Sequence, residues 1–455
     1  MTPDAKLQIF AVKRGMIKNS NSFSPEYFHP ERLGVIEALK NSALPIFLLK
    51  EKVSFKRELI ASQKSNCHFL GLASVQSNTG ECIDSEEKAS GNVFKYKSGD
   101  VLYCRLRPYL NKVYLAEESG VCSTEFHVMK PKDDSILSEY LAVIMRSKLI
   151  LHQTKHMMTG NTHPRISNDD VKALIIPVPN REVQQEIVTK FIIALKNRSK
   201  KLQQAEELLA GMDEFVLETL GIKKQDISSK IIFGVKYADV YKSRIDAIFN
   251  NPHFVTRIAA LKELPHDSLE NIIEFSDEVW NGKDFFEDVF PYIEISNIGL
   301  KNNIWHSNAT SMDKIPSRAK MVVRNGDIIV STTRPHRGAI AMLTFEKEQV
   351  QIASTGFSVL RNLKRSDILK EYLYWVLLND YVLQQMLQRS SGGNYPAINQ
   401  DELKKIIIPI PSIDKQKKII AEAERRKKLS AHLKNEAEKE WQDAREQFEK
   451  ELLGE

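Results

Sequence analysis

The period of the apolar positions changes several times along this chain, and the changes come in the same order twice. Val101-Leu102-Tyr103-Cys104 is a continuous apolar run with β-branched and aromatic members, as a buried strand is, and Ile328-Ile329-Val330 is its like further on. Residues 137–151 and 368–387 space their apolar side chains at three and four, which predicts helix. Ala173-Leu174-Ile175-Ile176 and Ile406-Ile407-Ile408 predict one more strand each. Both are stopped by Pro-x-Pro, whose missing N–H groups and fixed φ end sheet pairing. Upstream of Gly99, apolar runs alternate with turn residues (Asn78-Thr79-Gly80, Ser98-Gly99-Asp100), predicting short strands and loops.

After each Pro-x-Pro the pattern lengthens into a polar helix. Val188, Phe191, Leu195, Leu202, Ala205, Leu209, Met212 and Val216 form a heptad seam broken only at Arg198, and a seam requires a partner helix. Leu429, Leu433, Ala437, Trp441, Ala444, Phe448 and Leu452 define one face of the second tail, in a less regular register. A helix over residues 181–220 would span about 60 Å.

The recurrence extends to individual residues. Ile9-Phe10-Ala11-Val12-Lys13 returns as Ile232-Phe233-Gly234-Val235-Lys236, Gly99-Asp100 as Gly326-Asp327, and Arg107-Pro108 as Arg334-Pro335. Ser123-Thr124-Glu125-Phe126 returns as Ser354-Thr355-Gly356-Phe357, Glu139-Tyr140-Leu141 as Glu371-Tyr372-Leu373, and Pro164-Arg165-Ile166 as Pro396-Ala397-Ile398. The offset grows from 223 to 232 while the order is kept. A period this long means two domains of one fold rather than a solenoid. The fold class is therefore α+β, with two homologous mixed α/β domains, each followed by a long helix. The expected boundaries are 1–180, a helical segment 181–230, a second domain 231–411, and a terminal helix 412–455.

Composition changes this picture little. At 455 residues the chain is long enough for two or three domains, and 42% apolar content marks a folded protein. A net charge of +6 permits a nucleic-acid partner without demanding one. The first residues lack the apolar core of a secretion signal, and no apolar run is long enough to span a membrane, so a cytoplasmic protein is expected. Cys67, Cys82, Cys104 and Cys122 are too widely spaced for a zinc site and are read as free thiols; no metal or cofactor is expected.

Together these residues resemble the specificity subunit of Type I restriction–modification systems. The resemblance rests on the Gly-Asp strand leading into Arg-Pro, the Ser-Thr-x-Phe segment, the Glu-Tyr-Leu helix, and the Pro-x-Pro strand end before a helix carrying Gln184 or Gln416. It spans nearly the whole chain, in both copies. It implies two target-recognition domains whose long helices pack as an antiparallel coiled-coil spacer. It also implies double-stranded DNA as ligand, with two adenine methyltransferase (modification) subunits and motor/nuclease (restriction) subunits as partners. The chain itself would be no enzyme. Asn251-Pro252-His253-Phe254 departs from an adenine methyltransferase motif, and no Gly-x4-Gly-Lys-Ser/Thr phosphate loop is present. The other readings left open are a specificity subunit of a related phage-defence system and a coiled-coil scaffold that binds no DNA.

Two loops are the candidates for DNA contact. Arg105, Arg107 and Lys112 surround Pro108, and Arg334, His336 and Arg337 surround Pro335; such groups neutralise phosphates or fork onto guanine. The second loop offers Asn161, His163 and Arg165 in one copy and Asn394 and Tyr395 in the other, with glycines that allow close backbone approach. The copies differ here within a shared frame, as two different half-sites require. Arg425-Arg426-Lys427-Lys428 reads as a solvated helix face, and Tyr372, Tyr374 and Trp375 as core. Glu125 is Gly356 in the second copy, so no acid–base role is assigned to it.

Overall fold

The computed structural model describes residues 11–12, 14, 25–62, 68–160, 162–223, 232–236, 244–302, 304–345 and 350–453. Asn161, Cys67 and most of the Ile9–Lys13 repeat lie outside the described residues. The chain divides into two compact units, Met1–Lys201 with Asn435–Glu455, and Leu202–Lys434.

The first unit opens with α1 (Pro30–Asn41), β1 (Ile46–Leu48), α2 (Leu49–Lys52), β2 (Val53–Lys56), β3 (Leu59–Ala61), β4 (Phe69–Leu70) and β5 (Asn92–Tyr96). It continues with β6 (Val101–Cys104), β7 (Val113–Leu115), β8 (Gly120–Ser123), β9 (Phe126–Pro131), α3 (Ser138–Met145), α4 (Lys148–Thr154), α5 (Asn168–Lys172) and β10 (Ile175–Pro177). One sheet has the order β2-β9-β6-β7, a second β3-β5-β8-β4, and β1 pairs antiparallel with β10. Val101 and Tyr103 point into a core shared with α3 and α4, whereas Leu102 and Cys104 point into the layer between the two sheets. A strand sandwiched this way is apolar at every position, which is why β6 reads as an unbroken run.

The second unit repeats the plan. Its elements are α6 (Arg181–Ala210), which begins in the first unit, then α7 (Met212–Leu220), α8 (Pro252–Lys262), β11 (His266–Ser268), α9 (Leu269–Ile272), β12 (Ile273–Ser276) and β13 (Val289–Ile293). There follow β14 (Asn308–Ser311), β15 (Ala319–Val323), β16 (Ile328–Ser331), β17 (Ile340–Met342), β18 (Gln351–Ser354) and β19 (Phe357–Leu363). The series ends with α10 (Lys370–Leu377), α11 (Asp380–Arg389), α12 (Gln400–Lys404), β20 (Ile407–Pro409) and α13 (Ile413–Leu453). The sheet β12-β19-β16-β17 and the pair β11-β20 match their counterparts strand for strand. The other sheet, β14-β13-β18-β15, does not. Its central strand keeps one parallel and one antiparallel neighbour, as β8 does, but the fourth strand is added on the parallel side rather than the antiparallel side.

The shared residues hold the shared frame. Tyr140 and Tyr372 are fully buried and donate their hydroxyls to the carbonyls of Pro177 and Pro409, at 2.9 and 2.8 Å. Gln184 accepts from Leu137 N and donates to Ser135 O and Pro179 O; Gln416 does the same with Leu369 N, Asp367 O and Pro411 O. A buried amide that meets backbone groups on both its atoms leaves none of them unpaired, which explains a glutamine at each long-helix start. Asp100 and Asp327 are each 1% exposed. Each closes the turn before its strand by accepting from Lys97 N or Arg324 N, while Lys56 or Arg361 neutralises it.

Two predicted helices are each broken in two. The apolar pattern runs on through residues 137–151 and 368–387, but Ser147 caps α4 by accepting from Ile150 N, and Asn379 caps α11 by accepting from Tyr381 N. The cap satisfies N–H groups that periodicity alone does not reveal.

Within each unit the long helices run antiparallel. In the first, Phe191 packs edge-on against Trp441 and Phe448, and Lys190 meets Glu451 while Lys201 meets Glu436. Arg198, the break in the predicted seam, pairs with Glu438 at 3.3 Å. In the second, Ser430 Oγ donates to Ala205 O and Arg426 to Leu208 O. The predicted register needs correction here, since Leu429 is 37% exposed and Ser430 only 2%. A small hydroxyl that pairs with a facing carbonyl fits between closely approaching helices where leucine does not.

Candidate functional site

The two candidate loops of each unit are brought together, by backbone. Arg107 and Arg334 both adopt the left-handed conformation, with φ of 48° and 47°. That conformation costs a non-glycine residue about 1–2 kcal/mol. It aims the Arg107 N–H at Pro164 O and the Arg334 N–H at Pro396 O, both at 2.7 Å. Ile166 N then bonds Arg105 O at 3.0 Å, and Ile398 N bonds Thr332 O at 2.9 Å. The second loop is closed on itself by a reciprocal pair of bonds, between Thr159 and Arg165 in one unit and Ser391 and Ala397 in the other. Gly160 and Gly392 sit at φ 97° and 95°; a Cβ at Gly392 would lie 3.0 Å from Tyr395 O. This bracket is made of main-chain atoms, and the same bonds form in both units although the exposed side chains differ.

The side chains on the bracket differ. In the first unit Arg107 and His163 are exposed. Arg165 is engaged: its Nη2 lies 2.8 Å from Glu125 Oε1 and its Nε 3.1 Å from both carboxylate oxygens. Lys112 is also engaged, donating to Leu72 O at 2.7 Å. In the second unit Arg334 stacks over the Tyr395 ring at 4.3 Å and donates to Asn394 O at 3.1 Å. Tyr395 remains 70% exposed, and Asn394 and Arg337 are exposed beside it. His336 is half-buried; burial and the flanking Arg337 and Arg334 hold its pKa below the ordinary value, so it is neutral near pH 7.

Arg105 faces a different way. Its Nε is buried without a hydrogen-bond partner, 4.0 Å from Glu125, and it lines a cavity of about 140 Å³ with Phe55, Arg57, His127, Asn168 and Lys172. Burial, with Arg105 and Arg57 adding to it, pushes the His127 imidazole down to about 4. Four cationic side chains line the cavity, Lys56 paired with Asp100 and Lys172 with Asp169. With the buried neutral imidazole and the Arg105 Nε–H that lacks a partner among the described residues, they make it a place for an acceptor-rich group. Sequence reasoning missed Arg57, His127 and Lys172, which come from the loop after β2, from β9 and from α5. It also missed Glu125 as the partner of Arg165. That pairing left a signal: Glu125 and Arg165 change together, to Gly356 and Ala397, between the copies.

Burial pushes the Cys104 and Cys122 thiols up to about 12, which makes them poor nucleophiles at neutral pH. Tyr372, Tyr374 and Trp375 are buried, as expected of core residues. Among the described residues, no helix is long and apolar enough to cross a membrane.

Comparison with known proteins bears on the family and the fold. The family described as Type I restriction modification DNA specificity domain matches residues 53–209 and 270–439. The chain is 21% identical over 327 residues to the Type I restriction enzyme MjaVIII specificity subunit of Methanocaldococcus jannaschii, covering 70% of this chain and 69% of that one. It is 26% identical over 137 residues to the Type I restriction enzyme HindI specificity subunit of Haemophilus influenzae, covering 29% of each. A chain solved in work on complex assembly and conformational transition of the type I R-M system aligns with a TM-score of 0.52 at 18% identity, covering 90% of this chain and 97% of that chain.

Proposed function

The chain belongs to the Type I restriction modification DNA specificity domain family, and from that premise we propose that it is the DNA-recognition subunit of a Type I restriction–modification complex, reading an asymmetric bipartite site with one half-site per domain. The observation that carries this reading is the bracket: two loops joined by the same main-chain bonds in both units, presenting different polar side chains. A constant scaffold with variable contacts is what two unlike half-sites demand.

In this reading Arg107 and His163 serve one half-site, and Arg334, His336, Arg337, Asn394 and Tyr395 the other. Asn161 belongs to the same set by its place in the loop. Arg105 reaches a phosphate or base edge through the cavity it lines, and Arg165 and Lys112 act by holding the loops in place. The long helices set the gap between half-sites, about 34–36 Å or a multiple for sites on one DNA face. Methylation and cleavage fall to partner chains: modification subunits, two per complex, and restriction subunits.

The test is sequencing of methylated sites in cells that express this chain with its modification subunits. Deleting one heptad within residues 181–201, together with its facing heptad in the terminal helix, should change the gap and leave the half-site bases alone. New half-site bases with an unchanged gap would refute the assignment.

A further inference from the structure

The N-terminal helix of the first unit and α4 face each other through a cluster of imidazoles around one carboxylate. His29 caps α1, Glu31 lies in its first turn, His152 lies in the last turn of α4, and His156 sits four residues on, in the turn that follows the helix. His156 Nε2 is 2.6 Å from Glu31 Oε2, and His152 Nε2 is 3.5 Å from Glu31 Oε1. The His29 and His156 rings stack with centroids 3.7 Å apart. One ligand atom from each of His29, Glu31 and His156 falls within 4.8 Å of the others.

We propose that His29, Glu31 and His156 bind a zinc ion, with His152 or water completing the shell. The donor set argues for this metal: two or three imidazoles and a carboxylate suit a borderline ion, whereas magnesium and calcium select oxygen. Ligands on tetrahedral zinc stand about 3.4 Å apart given bonds of about 2.1 Å. Closing the cluster from its present spread therefore takes shifts of the order of an ångström in the ligand atoms, with the His29 and His156 rings turned out of their stack so that both converge on the ion. Lys155 Nζ, 3.2 Å from Glu31 Oε2, occupies part of the carboxylate and is the group the ion displaces.

The second unit shows what the same junction does without a metal. There Asn251, His253, Gln384 and Gln388 stand at the corresponding positions. Gln388 Nε2 bonds Phe249 O at 2.6 Å, and Arg257 reaches Asp380 at 3.5 Å. The junction is closed by direct bonds in both units, but only in the first are the groups that meet there metal-ligating ones. Zinc in the first unit would clamp α1 to the end of α4, five residues before the Thr159–Arg165 loop.

Metal-stripped full-length protein titrated with zinc chloride by calorimetry, and with cobalt(II) by visible absorption, tests this. One ion per chain should bind at micromolar concentration or tighter, with the cobalt spectrum of a tetrahedral site, and magnesium should not compete. Binding should vanish in the Glu31→Gln/His156→Gln double variant, whose second change installs the residue the other unit carries. It should persist in His432→Ala, which removes an exposed histidine of the terminal helix. Circular dichroism of each variant without metal confirms that it folds. The proposal is overturned by the absence of saturable binding to the folded protein, or by equal stoichiometry in the double variant.

Discussion

Arg165 forks onto Glu125 across the first unit's paired loops, with Nη2 2.8 Å from Oε1, and the second unit lacks both residues at once, carrying Ala397 and Gly356 instead. The carboxylate takes the Nε/Nη2 edge of the guanidinium and neutralises it, while Nη1 donates to His163 O. In the proposed reading this pair fixes the loop rather than meeting a phosphate.

Glu125→Gln should release that charge. The variant complex is expected to bind DNA more tightly and less selectively, with the slope of log affinity against log salt steeper by about one. Fluorescence anisotropy at several salt concentrations reads this directly. A weaker complex with an unchanged slope would place Glu125 at the bases instead.

Arg337 and Lys112 were equal candidates by sequence and are opposites in the structure. Arg337→Ala should reduce the salt slope by about one without altering stability. Lys112→Ala should leave the slope alone and cost about 1 kcal/mol of stability, because Leu72 O loses its donor. Anisotropy and urea denaturation of both variants separate the two effects.

The long-helix contact within the second unit predicts an inversion of the usual rule. Ser430→Leu puts a larger, more apolar side chain into a 2% exposed position, yet overpacking should destabilise the unit by about 1–3 kcal/mol. Leu429→Ser, at a 37% exposed position, should cost well under that. Urea midpoints of the two single variants decide the matter.

His127 gives a pH dependence with a definite sign. Its folded pKa of about 4 lies below the ordinary value of 6.5, so the unfolded chain binds the extra proton between these limits. The stability held by the neutral imidazole is complete above pH 6.5 and is lost as pH falls from 6.5 towards 4, by on the order of 3 kcal/mol. Denaturation across this range should lose most of that slope in His127→Asn. A parallel slope in the variant would assign the dependence to other groups.

Much of the frame was legible because it rests on residues with few substitutes. Gly99 and Gly326 hold φ of 80° and 82° before a buried strand, and Gln184 and Gln416 each satisfy three backbone groups, so the same letters recur at the same places. What was not legible depends on partners distant in sequence. Glu125 lies 40 residues from Arg165, and Lys112 lies 40 from Leu72, so neither charge announces that it is occupied. The break before α4 was hidden because Leu149 and Ile150 are buried like the residues before it, and only the Ser147 cap marks the boundary. The fourth strand of the second sheet was hidden for another reason. Leu59–Ala61 and Asn308–Ser311 are short edge strands whose pairing is set by the neighbour available, and the two copies chose opposite sides.

The main-chain bracket at Arg107 and Arg334 has a consequence for inheritance. Its bonds run from the arginine N–H to the proline carbonyl and name no side chain, so exposed loop-tip positions such as His163 and Tyr395 can change without touching the bonds that hold the scaffold. If these loops read the target as proposed, lineages carrying this protein can drift towards new targets one codon at a time, and a loop exchanged between copies by recombination would meet the same main-chain partners.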